Sequence, residues 1–301
     1  MRARAAIGVG LMWSALTLVA VSAQEPKGVA TTQEEFEAKL GYQTGTVHLS
    51  GGMATITLPE EFRFLDVEGA KRLLVDAWGN PERSAEGVLG MMVPADVSPL
   101  EPGGWGIVIT YDNDGFVNDD DAARMDFDKL LGEMQAGARE VNEEREKEGQ
   151  PAVDLVGWAE PPHYDAEAHK LYWAKELAFG DSPTHTLNYN IRILGRRGVL
   201  VLNAVSGIDQ LEDIRSQTQN VLAAVSFNEG HRYTDYLPGK DKAATYGVAG
   251  LIAGATVAKA GFFKAIWIGL LAFKKVLAGA AVAFFAMLKR VFSRKEPAEA
   301  A

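Results

Sequence analysis

Cysteine is missing from all 301 residues, which excludes a disulfide framework, a cysteine nucleophile, thiolate zinc sites and lipid attachment through an N-terminal cysteine. The folded part must be held by its core alone. Short enzyme signatures are missing too: there is no GxSxG elbow, no GxxxxGK phosphate loop, no HExxH pair and no GxGxxG after a strand. Acidic residues are absent from Met1–Ala23 and reduced to Glu296 and Glu299 beyond Ala243. Between Gln24 and Lys242, by contrast, 38 acids face 20 bases, a net of −18. Such a surface repels phosphate backbones, so nucleic acid is not expected as a partner. No repeat or low-complexity stretch occurs.

What is present at the two ends is apolar. Met1–Ala23 carries Arg2 and Arg4, then a run through Leu11, Trp13, Leu16 and Val19, then Val21-Ser22-Ala23. This is the three-part pattern of a secretory signal peptide, with small residues placing cleavage after Ala23. The alternative is an uncleaved anchor. A second apolar region covers 243–288 and is too long, at ~1.5 Å per residue, to be one straight span of a ~30 Å hydrocarbon layer. The expected span is Ala243–Phe263, with 264–288 lying along the inner leaflet; a hairpin or re-entrant piece is the competing arrangement. The tail 289–301, holding Lys289, Arg290, Arg294 and Lys295, then sits in the cytoplasm by the positive-inside bias. The expected location is the cytoplasmic (inner) membrane, crossed once, with the folded domain outside. Gly250 and Gly254 form a small-xxx-small pair through which two copies would self-associate.

The middle, 24–229, reads as one domain, followed by a tether over 230–242 containing Pro238 and Gly239. Strands at Thr46–Leu49 and Met53–Leu58 flank Gly51-Gly52, and Asp66 opens an amphipathic helix that Gly79-Asn80-Pro81 ends. Strands are expected at Val88–Val93 and Gly106–Tyr111, then a long helix at Ala122–Glu148. Four antiparallel strands follow, at Val153–Trp158, Lys170–Phe179, Thr184–Leu194 and Gly198–Val205, then a helix at Asp209–Ala224. This order predicts an α+β fold, an antiparallel sheet covered by helices in an α/β/α sandwich-like arrangement.

Trp105-Gly106-Ile107-Val108-Ile109-Thr110-Tyr111, Asp114-Gly115-Phe116-Val117, Gly157-Trp158-Ala159-Glu160-Pro161-Pro162-His163-Tyr164-Asp165, His169-Lys170-Leu171-Tyr172-Trp173-Ala174 and Gly198-Val199-Leu200-Val201-Leu202-Asn203 resemble the bacterial membrane-anchored family catalogued as domain of unknown function 2167. The resemblance covers nearly the whole mature chain. It implies location and architecture and supplies no activity. The element order is also similar, as a fold-level analogy, to the Mog1/PsbP-type α/β/α sandwich.

Four groups of residues are candidates for chemistry. Asp112, Asp114, the Phe116 carbonyl, Asn118 and Asp121 have the spacing of a calcium-type loop around Gly115, which makes Ca the one cofactor in view. The competing reading gives Asp119 or Asp120 the N-cap of the next helix. His163 and His169 flank a hairpin turn where two imidazoles would share a transition metal, or stand exposed. Trp158, Trp173 and Asn188 would line a ligand groove, set against the core role that strand aromatics usually take. Arg192, Arg196 and Arg197 form the main basic cluster and would meet an anionic partner, or solvate strand ends.

The leading expectation is a membrane-anchored extracytoplasmic binding module of the cell envelope, with the lipid bilayer and an envelope protein as partners. The alternatives are a hydrolase-like enzyme with an unrecognised site, a domain that responds to divalent cations, and a scaffold whose membrane tail does the work.

Overall fold

The computed structural model describes residues 33–254, apart from positions 102, 148 and 150. The expected signal segment 1–23, the inner-leaflet stretch 264–288 and the basic tail 289–301 lie outside the described residues.

A short helix α1 (Gln33–Ala38) precedes a hairpin of β1 (Thr46–His48) and β2 (Ala54–Thr57). Its turn passes through Gly51 and Gly52 at φ 73° and 68°, backbone that a Cβ disfavours. Strand β3 (Phe62–Leu65) leads into α2 (Val67–Lys71). The Asp66 carboxylate caps α2 by accepting from the Gly69 amide at 2.9 Å, as the sequence predicts. Next come β4 (Val88–Pro94), β5 (Ile107–Asp112), the short β6 (Phe116–Asn118) and the long helix α3 (Phe127–Lys147). The expected continuous helix from Ala122 is broken: Ala122–Arg124 is a separate 3-10 turn, Met125 is extended at ψ 134°, and the Asp126 carboxylate accepts from the Lys129 amide at 3.0 Å where α3 begins.

Four long strands follow as expected, β7 (Val153–Asp165), β8 (Lys170–Phe179), β9 (Thr186–Leu194) and β10 (Val199–Gly207), then α4 (Leu211–Ala224) and β11 (Val225–Phe227). The Lys170 ammonium donates to the carbonyls of Leu222 and Val225 at the end of α4, where the helix dipole favours a cation. The chain then forms β12 (Ala243–Gly247) and α5 (Val248–Ala253).

The main sheet has seven strands in the order β3-β4-β5-β10-β9-β8-β7, with every neighbouring pair antiparallel. A three-stranded sheet β1-β2-β11 and a parallel pair β12-β6 complete the strands. On one face of the main sheet, α4 and the small sheet cover Ile107, Ile109, Tyr189, Ile191, Leu200 and Leu202. On the other, α2 packs on Met91 and Val93, α3 packs on Val153 and Leu177, and α5 packs on Leu171, Trp173 and Val199. The fold is mixed α+β, with antiparallel sheets between helices.

The stretch expected to be a tether is instead bound to the domain. Within 230–242, the Arg196 guanidinium grips Asp241 with hydrogen bonds of 2.7 and 3.0 Å, and the Tyr233 hydroxyl donates to the Val117 carbonyl at 3.0 Å. Phe116 stacks on Tyr236 at a centroid distance of 3.8 Å. Ala243 does not begin a membrane span: Ala243–Gly247 is a strand, and Val248, Leu251 and Ile252 are core residues. Apolar side chains serve a core helix and a membrane helix equally well, and only the partner surface tells them apart. Gly254 lies in the left-handed region at φ 83° and ends α5. Gly250 lies inside α5 and Gly254 is its C-cap, so the pair stands at the end of this helix. Among the described residues, no helix is long and apolar enough to cross a membrane.

Candidate functional site

Strand β9 has all nine residues buried, yet only one of its faces is apolar. Leu187, Tyr189, Ile191 and Ile193 point towards α4, and the pleat turns Asn188, Asn190 and Arg192 to the opposite face. Register then assembles a polar field over three strands. Asn190 lies opposite Asn203 on β10 and Trp173 on β8, and Asn188 lies opposite Lys175, which in turn lies opposite Trp158 on β7.

The field is wired by hydrogen bonds. The Arg192 guanidinium donates to the Ile191 carbonyl at 2.9 Å, to Asn203 Oδ1 at 3.1 Å and to Asn190 Oδ1 at 3.3 Å. The Asn190 amide nitrogen passes the chain on to Asn188 Oδ1 at 3.0 Å. The guanidinium carbon stands 5.0 Å from the Trp173 ring centroid, a cation-π distance. Burial pushes the Arg192 pKa down to about 10, with Asp112 opposing the shift. Lys175 keeps part of its side chain exposed; desolvation, followed by the neighbouring Arg192 charge, lowers the pKa of its amine.

Trp158, Trp173 and Asn188 lie on one face of neighbouring strands, but not as the lining of an open aromatic groove. Trp173 is 1% exposed beneath α5. Trp158 donates its indole N–H to the Phe127 carbonyl at 3.2 Å and packs under α3. Aromatic bodies go to the core here, and the open part of the field is polar. The residues missed in the sequence are Lys175, Asn190 and Asn203. Only β9 carried a signal, Asn188, Asn190 and Arg192 at alternate positions, a pattern that reads as an ordinary solvent face; Lys175 and Asn203 are single polar residues on otherwise apolar faces of β8 and β10.

The three arginines separate. Arg192 points into the field, while Arg196 and Arg197 hold Asp241.

The calcium-type loop does not assemble. Both Asp121 oxygens accept from α5, from the Val248 and Ala249 amides at 2.9 Å each. Asn118 Oδ1 accepts from the Asp120 amide at 2.8 Å, and Asp114 accepts from the Tyr246 hydroxyl at 3.1 Å. The Phe116 peptide belongs to β6, with its amide on the Lys242 carbonyl. Burial, followed by the Asp114 charge, raises the Asp112 pKa, which disfavours its anionic form. Asp114, Asn118 and Asp121 are thus spent on separate structural contacts, and no metal-type cluster of His, Asp or Glu exists among the described residues.

The histidines do not meet either. His163 stacks on Tyr172, while His169, at φ 51° in the hairpin turn, stacks on Tyr233 at 4.0 Å. Asp119, expected as a helix cap, instead accepts from the Tyr164 hydroxyl and lies 3.4 Å from His169 Nδ1. Burial and the Asp119 carboxylate both raise the Tyr164 pKa, so the phenol stays protonated. On the α4 side, a cavity of about 10 Å³ beside Tyr189 and Thr218 has room for one water at most.

The family model described as "Protein of unknown function (DUF2167)" matches residues 41–285. No curated protein matches the chain. Among solved structures, cyanobacterial PsbP (CyanoP) from Synechocystis sp. PCC 6803 is similar at 9% identity and TM-score 0.34, over 63% of this chain and 94% of that one. The Ran-binding protein Mog1p of Saccharomyces cerevisiae aligns at 12% identity and TM-score 0.33, over 62% and 95%. LpqN of Mycobacterium tuberculosis, described as involved in cell envelope biogenesis, aligns at 13% identity and TM-score 0.30, over 65% and 97%.

Proposed function

The chain belongs to the DUF2167 family, and from that premise we propose that it is a binding module of the cell envelope, exported by its first 23 residues and anchored in the cytoplasmic membrane by apolar sequence beyond Gly254. The domain recognises another envelope component and does so without catalysis. The observation that carries this reading is the polar field itself. Asn188, Asn190, Arg192 and Asn203 lie in register on two adjacent strands, with the partly exposed Asn203 and Lys175 opening the buried Asn188, Asn190 and Arg192 to the surface. The acidic composition of the exported part agrees with a protein-facing role more than with one on nucleic acid.

Anchoring is moved downstream of the span the sequence first suggests, because 243–253 is occupied by β12 and α5. With 230–242 bound to the domain, that stretch does not act as a free linker between the sheet and α5. The test is in-cell photo-crosslinking from a photoreactive residue at position 158, at the border of the field. An adduct with an extracytoplasmic protein is expected. Adducts with cytosolic proteins alone, or none above the level from a control position on the outer side of α3, reject the reading.

An enzyme reading rests on a different observation, the pairing of His169 with Asp119 and Tyr164. Partly buried imidazole and carboxylate of this kind serve general acid-base chemistry. Loss of the cellular phenotype in His169→Gln, with crosslinking from position 158 unchanged, would favour it.

A further inference from the structure

Buried cations in proteins are held by carboxylates or by a ligand, because desolvation without a counter-charge costs several kcal/mol, on the order of a whole domain's reserve. One buried cation of the polar field, Arg192, is held by neither, and the partly exposed Lys175 on the same face has no counter-charge among the described residues. Arg192, 9% exposed, donates only to neutral oxygens, those of Ile191, Asn190 and Asn203. The Lys175 side chain, which is partly exposed, makes no hydrogen bond or ion pair with any described residue. Both belong to the same sheet face, Lys175 opposite Asn188 and Arg192 two residues beyond Asn190.

A third donor is also unanswered. The indole Nε1 of Trp173, whose ring carries the guanidinium, is buried and has no hydrogen-bond partner. Buried N–H groups without partners are rare in native proteins and ask for an explanation. Asn188 and Asn203 use their oxygens inside the field, which leaves both amide NH₂ groups as further donors. The carboxylate that Arg192 senses, Asp112, forms no ion pair with it. Asp112 is itself crowded by burial and by Asp114, both of which favour its neutral form.

We infer that the face bounded by Lys175, Arg192, Trp173, Asn188 and Asn203 binds a phosphoryl oxyanion. This deepens, and rests on, the reading of that face as the recognition surface. The donors come from three neighbouring strands on one face of the sheet. A carboxylate offers two oxygens in one plane, whereas a phosphoryl group offers three terminal oxygens in a tetrahedral spread and carries up to two charges, which matches two cations. The group is supplied either by an anionic phospholipid headgroup or by a soluble phosphorylated compound. α5, which packs on Trp173, ends at Gly254, where the apolar sequence begins, so a headgroup is within reach of the mount proposed above.

The test uses the purified full chain. In detergent, its melting temperature is followed with sodium phosphate against sodium chloride at equal ionic strength. In vesicles, phosphatidylcholine alone is compared with phosphatidylcholine containing phosphatidylglycerol. A saturable rise of several degrees with phosphate assigns the soluble source; a rise confined to phosphatidylglycerol assigns the headgroup. In either case Lys175→Met abolishes the shift. Arg192→Lys, which keeps the charge and loses the planar fork, weakens it. No shift in either arm, or an unchanged shift in Lys175→Met, overturns the inference. If the arms are silent while position 158 still crosslinks an envelope protein, the oxyanion assignment falls and the binding-module reading stands. If both fail, the reading itself falls.

Discussion

Asn142 of α3 answers both backbone groups of Val153 on β7: its amide nitrogen donates to the Val153 carbonyl at 3.1 Å, and its oxygen accepts from the Val153 amide at 2.8 Å. The side chain thus acts as one residue of a missing strand at the start of β7, and it is 8% exposed. Asn142→Ala leaves a buried donor and acceptor unpaired, so it should lower unfolding stability by about 1–3 kcal/mol. The midpoint of urea unfolding checks this, and an unchanged midpoint would show that water replaces the amide.

Gly198 opens β10 directly beside β5. A Cβ there would overlap the Asp112 carbonyl oxygen and come within 2.8 Å of the Tyr111 hydroxyl. The carbonyl belongs to a paired strand and cannot swing aside. Gly198→Ala is expected to cost about 1–3 kcal/mol, the usual range for overpacking, and to lower the melting temperature accordingly. Gly132→Ala, on α3 with open space around its Cβ position, should do the reverse by a few tenths to about 1 kcal/mol through helix propensity.

Local patterns made most of this fold legible. The hairpin at Gly51-Gly52, the Asp66 cap and the four long strands each depend on residues within a few positions of one another. What escaped depends on partners far away in the chain. Asp121 looked like a cation ligand beside Asp112 and Asp114, but its partner amides are 127 and 128 residues downstream. Val248, Leu251 and Ile252 looked membrane-bound because apolarity names no destination; the sheet surface at Leu171 and Trp173 that takes them is invisible to a window. The polar field was half visible. Trp158, Trp173 and Asn188 were named, as a groove lining, but not that register would set Lys175 between two of them and bring Arg192 over the third.

Because Asp114, Asn118 and Asp121 are already committed to structural hydrogen bonds, millimolar calcium should leave the melting temperature of the protein unchanged and give no binding heat. The comparison is with magnesium at equal ionic strength. A calcium-specific rise in melting temperature would require Asp121 to leave α5, and would show as faster amide exchange at Val248 and Ala249.

Asp241 should make a recognisable acid transition. The Arg196 hydrogen bonds, helped by the Leu237 amide and the Arg197 charge, pull its pKa from the ordinary 3.8 to about 2. A carboxyl whose folded pKa lies below its unfolded one binds fewer protons in the native state, so its contribution is complete above pH ~4 and disappears as pH falls towards ~2. Unfolding stability followed between those limits should therefore fall more steeply in the wild type than in Asp241→Asn. Parallel curves would mean that the clip contributes nothing to folding.

The last prediction separates the 230–254 strap from the sheet. Asp121 holds the first turn of α5 with both oxygens, and Gly247 leaves room for it: a Cβ at 247 would meet Asp121 Oδ2 at 2.6 Å. Asp121→Ala removes two charge-assisted bonds to helix amides, a loss of about 0.5–2 kcal/mol for a cap of this kind. Gly247→Ala pushes the carboxylate away and should act in the same direction. Both variants should speed hydrogen exchange across 243–253 while β9 and β10 keep their protection, because the strands' own ladder is untouched. Exchange rising equally in β9 and β10 would show instead that α5 and the sheet open together. The anchor region would then be coupled to the polar field, because α5 packs directly on Trp173 beneath the Arg192 guanidinium.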